Sequence, residues 1–301
     1  MVVTVRAPAT SANLGSGFDV FGVALSKPAD VVRVERADTT TITVTGAGAQ
    51  YVPTDPQENT AGVVAAALDA PATIHINKGV RPSSGLGSSA ASAAAATVAL
   101  AELYDRPLDD DALVRAAAQG EAAASGVAHA DNVAPAILGG FTIVREDGIE
   151  HVDASLALAV CLPETTVSTR DARGVVPESA AMEAVVSTVE SAATLTLGMC
   201  ENDPQRVGRG VEDALVTPAR ARLMDGYEAA SAAARDAGAT GVTISGSGPG
   251  VVAVCRRRDR KRVAAALVDG FDSAGVAASA YQTRIGDGAT RLAADGDDRA
   301  P

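Results

Sequence analysis

Apolar and polar residues alternate through Thr73-Ile74-His75-Ile76, and the alternation stops at a run of small residues, Pro82-Ser83-Ser84-Gly85-Leu86-Gly87-Ser88-Ser89-Ala90-Ala91-Ser92. A period of two marks a strand. Similar short runs, bounded by turn residues, predict strands at Val2–Arg6, Val31–Arg36, Thr41–Thr45 and Phe141–Val144. After about Asp153 the pattern restarts, with strands at Leu156–Leu162, Val242–Ile244, Val251–Cys255 and Ala277–Arg284. Helices are expected at Ser88–Tyr104 and at Asp109–Ala124, the second beginning on acidic residues as a first turn prefers. Several alanine-rich helices then run to Asp236, and one more spans Arg260–Val268. The second half reads as a split β-α-β arrangement with extra helices, an α+β unit. At 301 residues the chain exceeds what one core usually serves, so two domains are expected, 1–153 and 154–301. The tail, 286–301, ends on the acidic run Ala294-Asp295-Gly296-Asp297-Asp298 and is expected to be flexible.

The glycine run carries the first chemical signal. A strand, a turn with Gly85 and Gly87, and the N-terminus of an alanine-rich helix together form an anion cradle, most often for phosphate. No Gly-Lys-Ser/Thr follows, and the nearest lysine, Lys78, lies upstream, so this is not a Walker A loop. A glycine-containing cap of a buried helix is the competing reading of this loop alone.

Composition narrows the class. The formal net charge of −12 argues against a general nucleic-acid binder. No apolar run approaches the ~18 residues needed to span a bilayer, and no signal-peptide pattern opens the chain, so a cytoplasmic protein without membrane partners is expected. Cys161, Cys200 and Cys255 show no CxxC or zinc spacing, and two of them sit inside apolar runs, which suits packing better than chemistry. Lysine occurs only at positions 27, 78 and 261 while acids abound, a pattern that suggests a surface adapted to high salt. A GC-rich genome explains the alanine and arginine but explains the acidity less well. The one basic cluster, Arg256-Arg257-Arg258 with Arg260, Lys261 and Arg262, reads as a solvated turn.

Two further glycine-serine segments change the weight of the first. Pro8-Ala9-Thr10-Ser11-Ala12-Asn13-Leu14-Gly15 runs on to Gly17-Phe18-Asp19, and Gly241-Val242-Thr243-Ile244-Ser245-Gly246-Ser247-Gly248-Pro249-Gly250 stands near the other end. A fourth block, from Glu121 to Gly140, contains His129-Ala130-Asp131-Asn132-Val133-Ala134-Pro135-Ala136. In this order and spacing the four resemble the GHMP small-molecule kinases, and within them the homoserine kinases, over about Thr4 to Ile285. The resemblance implies an N-terminal domain like ribosomal protein S5 domain 2, a ferredoxin-like C-terminal domain, and ATP with Mg2+ as cofactors. It also implies phosphorylation of the L-homoserine hydroxyl, a step toward threonine.

By the same resemblance, Pro82 to Ser92 bind ATP, and Glu121 ligates magnesium with Ser89 supplying a hydroxyl. An exposed helix glutamate is the bland reading of Glu121. A zwitterionic acceptor needs a carboxylate for its ammonium and arginines for its carboxylate. Asp19 and Asn13, in a glycine-rich apolar segment, and Arg173 and Arg220 fit that need, and the resemblance adds His129, Asp131 and Thr169. Surface ion pairing is the competing reading of the two arginines. Asp131 and Asn132 are assigned to orienting the hydroxyl, with proton abstraction left open. The loop Ser245–Gly250 is expected to lie beside the cradle as a second flexible loop closing the site. Asp225-Gly226 departs from the usual Pro-Gly of the family and bears on the pose of Arg220. Other GHMP kinases, for shikimate or mevalonate, and a non-catalytic metabolite-sensing paralogue remain alternatives. A homodimer is an open expectation.

Overall fold

The computed structural model describes residues 1–126 and 129–293. The first half contains β1 (Val2–Ala12), β2 (Phe21–Arg36), β3 (Thr41–Gly46), α1 (Thr60–Ala67), β4 (Ala72–Lys78), α2 (Ser88–Leu103), α3 (Asp110–Ser125), α4 (Ala130–Leu138), β5 (Phe141–Arg145) and β6 (Gly148–Val152). The second half contains β7 (Ala157–Pro163), α5 (Thr169–Gly174), α6 (Met182–Glu201), α7 (Pro204–Gly210), α8 (Thr217–Ala221), α9 (Tyr227–Asp236), β8 (Ala239–Ile244), β9 (Val251–Cys255), α10 (Arg260–Ser273), β10 (Ala278–Arg284) and β11 (Thr290–Arg291). Among the described residues, no helix is long and apolar enough to cross a membrane.

Seven strands form the first sheet, in the order β11-β1-β2-β4-β3, with β5 on the first part of β2 and β6 on β5. The alternation of β4 sends Ile74 and Ile76 into the core while His75 faces outward and bonds Thr43 and Thr45 of β3. The second sheet is antiparallel throughout, in the order β10-β7-β9-β8, the ferredoxin-like arrangement. Here alternation divides two cores. Leu158, Val160, Val252 and Val254 face the N-terminal half, where they meet Phe21, packed edge-on against Phe141, while Ala159, Cys161 and Ala253 pack under α9 and α10. Helix α2 has no polar stripe because 13 of its 16 residues are buried, Ala90 in one core and Ala91 in the other.

Three differences from the sequence reading have physical causes. Strands β1 and β2 run past the expected bounds, because a register shift at Pro8/Thr10 lets pairing resume as far as Ala12↔Gly22. Ala130–Leu138 is helical despite Pro135 inside it. Proline forfeits one ladder bond, and Gly22 lets α4 lie directly on β2, since a Cβ there would meet the Asp131 carbonyl at 1.9 Å. Residues 286–293 are not a loose tail. β11 pairs with β1, Gly140 N–H donates to the Gly286 carbonyl at 2.9 Å, and Leu292 N–H donates to Thr4 at 2.8 Å. The acidic run from Ala294 lies outside the described residues.

Candidate active site

The cradle is held from below by a buried ion pair. Asp30 on β2 and Lys78 at the end of β4 are 0% and 2% exposed at their side chains and bonded to each other. Asp30 also accepts from the Gly79 and Val80 amides at 3.0 and 2.9 Å and from Ser92 Oγ at 2.7 Å. Lys78 Nζ donates to the Ser88 carbonyl at 2.7 Å and to Ser92 Oγ at 2.8 Å. Burial pulls the Lys78 amine down, and the Asp30 charge opposes it. The pair therefore fixes where β4 ends and α2 starts.

At that start, Gly87 caps α2 in the left-handed region, φ 61°, and the first intrahelical bond is Ala91 N–H to the Gly87 carbonyl at 2.9 Å. The preceding amides have no intrahelical acceptor and lie at the positive end of the helix dipole. A Cβ on Gly87 would lie 2.0 Å from Thr10 Oγ1 and 2.8 Å from Asn132 Oδ1, so close packing demands this glycine. Leu86, Ala90 and Ala91, expected as cradle residues, turn their side chains into the cores. The Ser88 hydroxyl is committed to the Val80 carbonyl at 2.7 Å.

The loop Ser245–Gly250 lies beside the cradle, as expected, lines the cavity through Gly246 and Ser247, and is braced by hydrogen bonds. Ser245 is fully buried and donates to Gly85 O at 2.7 Å, while Gly250 N–H bonds Ser84 O at 3.1 Å and Gly246 N–H bonds Ala12 O at 3.1 Å. Thr10 N–H closes the circuit on Leu86 O at 3.0 Å. The three glycine-serine segments are thus stitched by backbone bonds. A Cβ on Gly85 would meet Ser245 O at 2.7 Å.

Above this base opens a cavity of about 500 Å³. Pro82, Ser83, Ser84, Gly85, Gly87, Ser88, Ser89 and Ser92 line one part; Asn13, Asp19, His129, Asp131, Asn132, Thr169, Arg173 and Arg220 line another, and Glu121 joins both sets. Glu121 is only 4% exposed, which rules out the reading as an ordinary solvated helix residue. Its Oε1 accepts from Ser89 Oγ at 2.9 Å. Burial, reinforced by the Asp131 charge, pushes this carboxyl up to about 7 against the opposing Ser89 bond and Lys78 charge. Asp131, 5% exposed, is likewise pushed up by burial, to about 6, with Asp19 adding to the effect. Two acids held above their usual range are a natural seat for a cation. Among the described residues no three His, Cys, Asp or Glu side chains cluster as a complete metal cage. Glu121 and Ser89 therefore fit an ion that draws most of its oxygens from phosphate and water, as Mg2+ does.

The far end of the cavity is ionic. Arg173 grips Asp19 with two prongs, at 2.5 and 3.2 Å. Arg220, 5% exposed, donates Nε to the Ala172 carbonyl at 3.1 Å and one amino group to the Gly246 carbonyl at 2.8 Å. Both guanidiniums stand over the Phe18 ring, at 5.1 and 5.0 Å. Asn13 ties the group together by donating to Gly246 O at 2.9 Å and accepting from the Asp19 amide at 2.9 Å. The Asp225-Gly226 turn leaves Arg220 anchored, with Gly226 left-handed at φ 86° ahead of α9. Burial and the nearby arginines pull the His129 ring down, against the opposing charge of Asp19. Asn132 Oδ1 accepts from Thr10 Oγ1 at 2.8 Å.

Sequence reasoning did not assign Asp30, Lys78, Tyr51, Val52, Glu58, Asn59 or Thr60 to the site, and all but Asp30 line the cavity. Asn59 caps α1, its side chain accepting from Ala61 N–H at 2.9 Å. A readable signal existed for one pair: a lone acid and a lone lysine, each embedded in an apolar strand, call for each other.

The chain matches the family models "GHMP kinases N terminal domain" over residues 58–140 and "GHMP kinases C terminal" over residues 195–273. It is 66% identical to a homoserine kinase of Natronomonas pharaonis, over 96% of this chain and 99% of that one, and 65% identical to one of Halorubrum lacusprofundi, over 97% and 99%. The crystal structure of homoserine kinase from Cytophaga hutchinsonii superposes with a TM-score of 0.88 at 33% identity, covering 97% of each chain. With a cradle, a carboxylate–hydroxyl pair and an ionic pocket meeting in one cavity, the chain belongs to the GHMP kinase family.

Proposed function

We propose that the chain is a homoserine kinase, transferring the γ-phosphoryl group of ATP to the hydroxyl of L-homoserine and yielding O-phospho-L-homoserine, a step in threonine biosynthesis. The carrying observation is one cavity with a helix N-terminal cradle on one side and, on the other, a carboxylate beside two arginines. The triphosphate lies against Ser83–Ser89 and the first turn of α2, where backbone amides and the helix dipole favour anions. Glu121 and Ser89 hold Mg2+, which when bound neutralises charge on the phosphates. Asp19 takes the ammonium, and Arg173 and Arg220 take the carboxylate, sharing their present contacts with the ligand. Asn13, His129 and Thr169 complete the pocket. Asp131 and Asn132 orient the hydroxyl, and a loose phosphoryl-transfer transition state asks little more of them. The free thiols Cys161 and Cys255, both buried, suit a reducing cytoplasm. The acidic, lysine-poor composition supports a salt-adapted surface, since relatives are halophilic archaeal proteins.

A kinase for shikimate, which lacks an ammonium, gains nothing from Asp19, and a non-catalytic paralogue gains nothing from a buried Glu121 bonded to Ser89. The pocket assignment has a direct test. Hydrogen bonds to charged groups contribute about 1.5–3 kcal/mol, so losing one costs roughly tenfold or more in kcat/KM. Asp19→Asn should lower kcat/KM for L-homoserine by that factor and leave 4-hydroxybutanoate, which lacks the amino group, unchanged. Arg173→Ala should weaken both substrates, and Arg173→Lys should not restore either, because an ammonium lacks the two-pronged geometry. Equal losses on both substrates in Asp19→Asn would refute the ammonium contact.

A further inference from the structure

A second hollow, of about 490 Å³, opens at the seam between the two halves of the chain and shares no residue with the cavity described above. Ser26 and Lys27 of β2 form one wall, Tyr281, Thr283 and Arg284 of β10 another, and Arg260, the first residue of α10, a third. No acid lines it. Among the described residues, Lys27, Arg260 and Arg284 each lack a carboxylate within ion-pairing distance. Asp259, the chain neighbour of Arg260, is instead paired with Arg262 at 3.1 Å and Arg258 at 3.7 Å. In a chain with 37 acidic and 25 basic residues, three unpaired cations around one hollow are a local reversal of the protein's charge. They repel one another, and an anion between them removes that cost. A second observation points the same way. Arg260 Nε and Tyr281 Oη are buried and have no hydrogen-bond partner. Each such donor costs stability and calls for an explanation, and here both belong to residues lining the same hollow.

We propose that this seam binds the dianion of a small phosphomonoester, with Lys27, Arg260 and Arg284 around the phosphate group and the Tyr281 hydroxyl donating to it. Planar guanidinium groups match phosphate oxygens, and Arg260 stands at the positive end of the 14-residue helix α10. A tetrahedral dianion offers acceptors in several directions, as donors arriving from β2, β10 and α10 require. A carboxylate, with two oxygens in one plane, would leave part of the set unpaired. Arg260 is free to turn inward, since its only printed tie is one amino group on the Thr283 carbonyl at 3.2 Å. The hollow is larger than a bare phosphate and leaves room for a small organic group. Its walls are already joined: the Ser26 and Thr283 hydroxyls are 3.1 Å apart, and Thr283 Oγ1 donates to the Lys27 carbonyl at 3.2 Å. A ligand held from both walls therefore ties the second sheet more firmly to the first.

The test must separate this seam from the phosphate cradle of the first cavity. The chain has no tryptophan, and Gln282 lines the seam on its exposed side. Gln282→Trp in the full chain therefore gives a fluorescence signal local to the seam. Inorganic phosphate and glycerol 1-phosphate, each titrated against chloride at constant high ionic strength, should change that signal saturably, the ester at the lower concentration. Arg260→Gln in the same background should raise the dissociation constant about tenfold or more, as the loss of a charged hydrogen bond does. Lys261→Gln, an exposed neighbour that does not line the seam, should leave it unchanged. If Arg260→Gln does not fold, Arg284→Gln, at an exposed position, carries the same expectation. Tyr281→Phe, made without the reporter, should raise the denaturation midpoint in phosphate-free buffer by removing a stranded hydroxyl, and the gain should vanish at saturating phosphate. A reporter that shows no saturable change, an arginine variant with unaltered affinity, a Lys261→Gln loss equal to that of the arginine variant, or a Tyr281→Phe protein less stable without phosphate would each overturn the proposal. Equal affinity for the two phosphates would overturn the assignment to an ester.

Discussion

Replacing Glu121 with glutamine is expected to remove ~10²–10³-fold of turnover and, in the same protein, to stabilise the ligand-free fold above neutral pH. Both effects come from one fact: a carboxyl is held in a site that disfavours its charge. Glu121 titrates at about 7 in the fold against 4.5 ordinarily, burial being the main cause. A raised acid contributes stability that is complete below about pH 4.5 and is lost as pH rises through about 7. At 1.36 kcal/mol per pKa unit, the loss is about 3 kcal/mol at pH 8. Glutamine keeps the shape without the charge, so the variant escapes that decline. Urea denaturation at pH 4 and pH 8, without nucleotide or metal, should show the variant gaining on wild type only at pH 8. Turnover needs the charged form if that carboxylate seats magnesium, so activity in wild type should climb with pH through about 7. A variant that loses stability at pH 8, or that keeps full kcat, contradicts this role for Glu121.

Lys78→Met is expected to cost about 3–5 kcal/mol of stability, because it strands a buried carboxylate. Asp30 would keep its bonds to the Gly79 and Val80 amides and to Ser92 but lose the counter-charge of Lys78. The Lys78 bond to Ser88 O would vanish as well, loosening the first turn of α2 and raising the KM for ATP. Lys78→Arg should not rescue the variant, since its larger planar group has no room in a site already close-packed. Denaturation midpoints measure the first effect and nucleotide titration the second. A loss under about 1 kcal/mol would mean that the pair contributes little to holding the cradle.

The elements most easily read in the sequence were those whose own pattern decides their structure. Asp109, with two acids after it, marked the start of α3, and its side chain accepts from Ala112 N–H at 2.8 Å. The short apolar runs of β7 and β9 were equally plain, because both faces are buried and turns set their bounds. α4 was not legible, since Pro135 argues against a helix and its compensation lies on another strand, at Gly22. β11 was invisible because two residues carry no period, and only pairing to β1 makes them a strand. In the site, glycine and serine spacing pointed to the segments but not to their relation. Nothing local says that Ser245 reaches Gly85 across 160 residues, which is why the bonds that brace this loop could not be read from its sequence. Leu86 and Ala90 fall in the expected ligand segment yet serve the cores, Leu86 from the turn before α2 and Ala90 from its first turn.

The central claim is that this cavity brings ATP and L-homoserine together for phosphoryl transfer. The most direct measurement is ADP release coupled to phosphorus NMR of the product, with L-homoserine, shikimate and mevalonate offered separately in the presence of ATP and Mg2+ at high salt. Homoserine alone should support turnover and give a phosphomonoester on its side-chain oxygen. Turnover on shikimate or mevalonate in place of homoserine, or none on any of the three, would contradict the account.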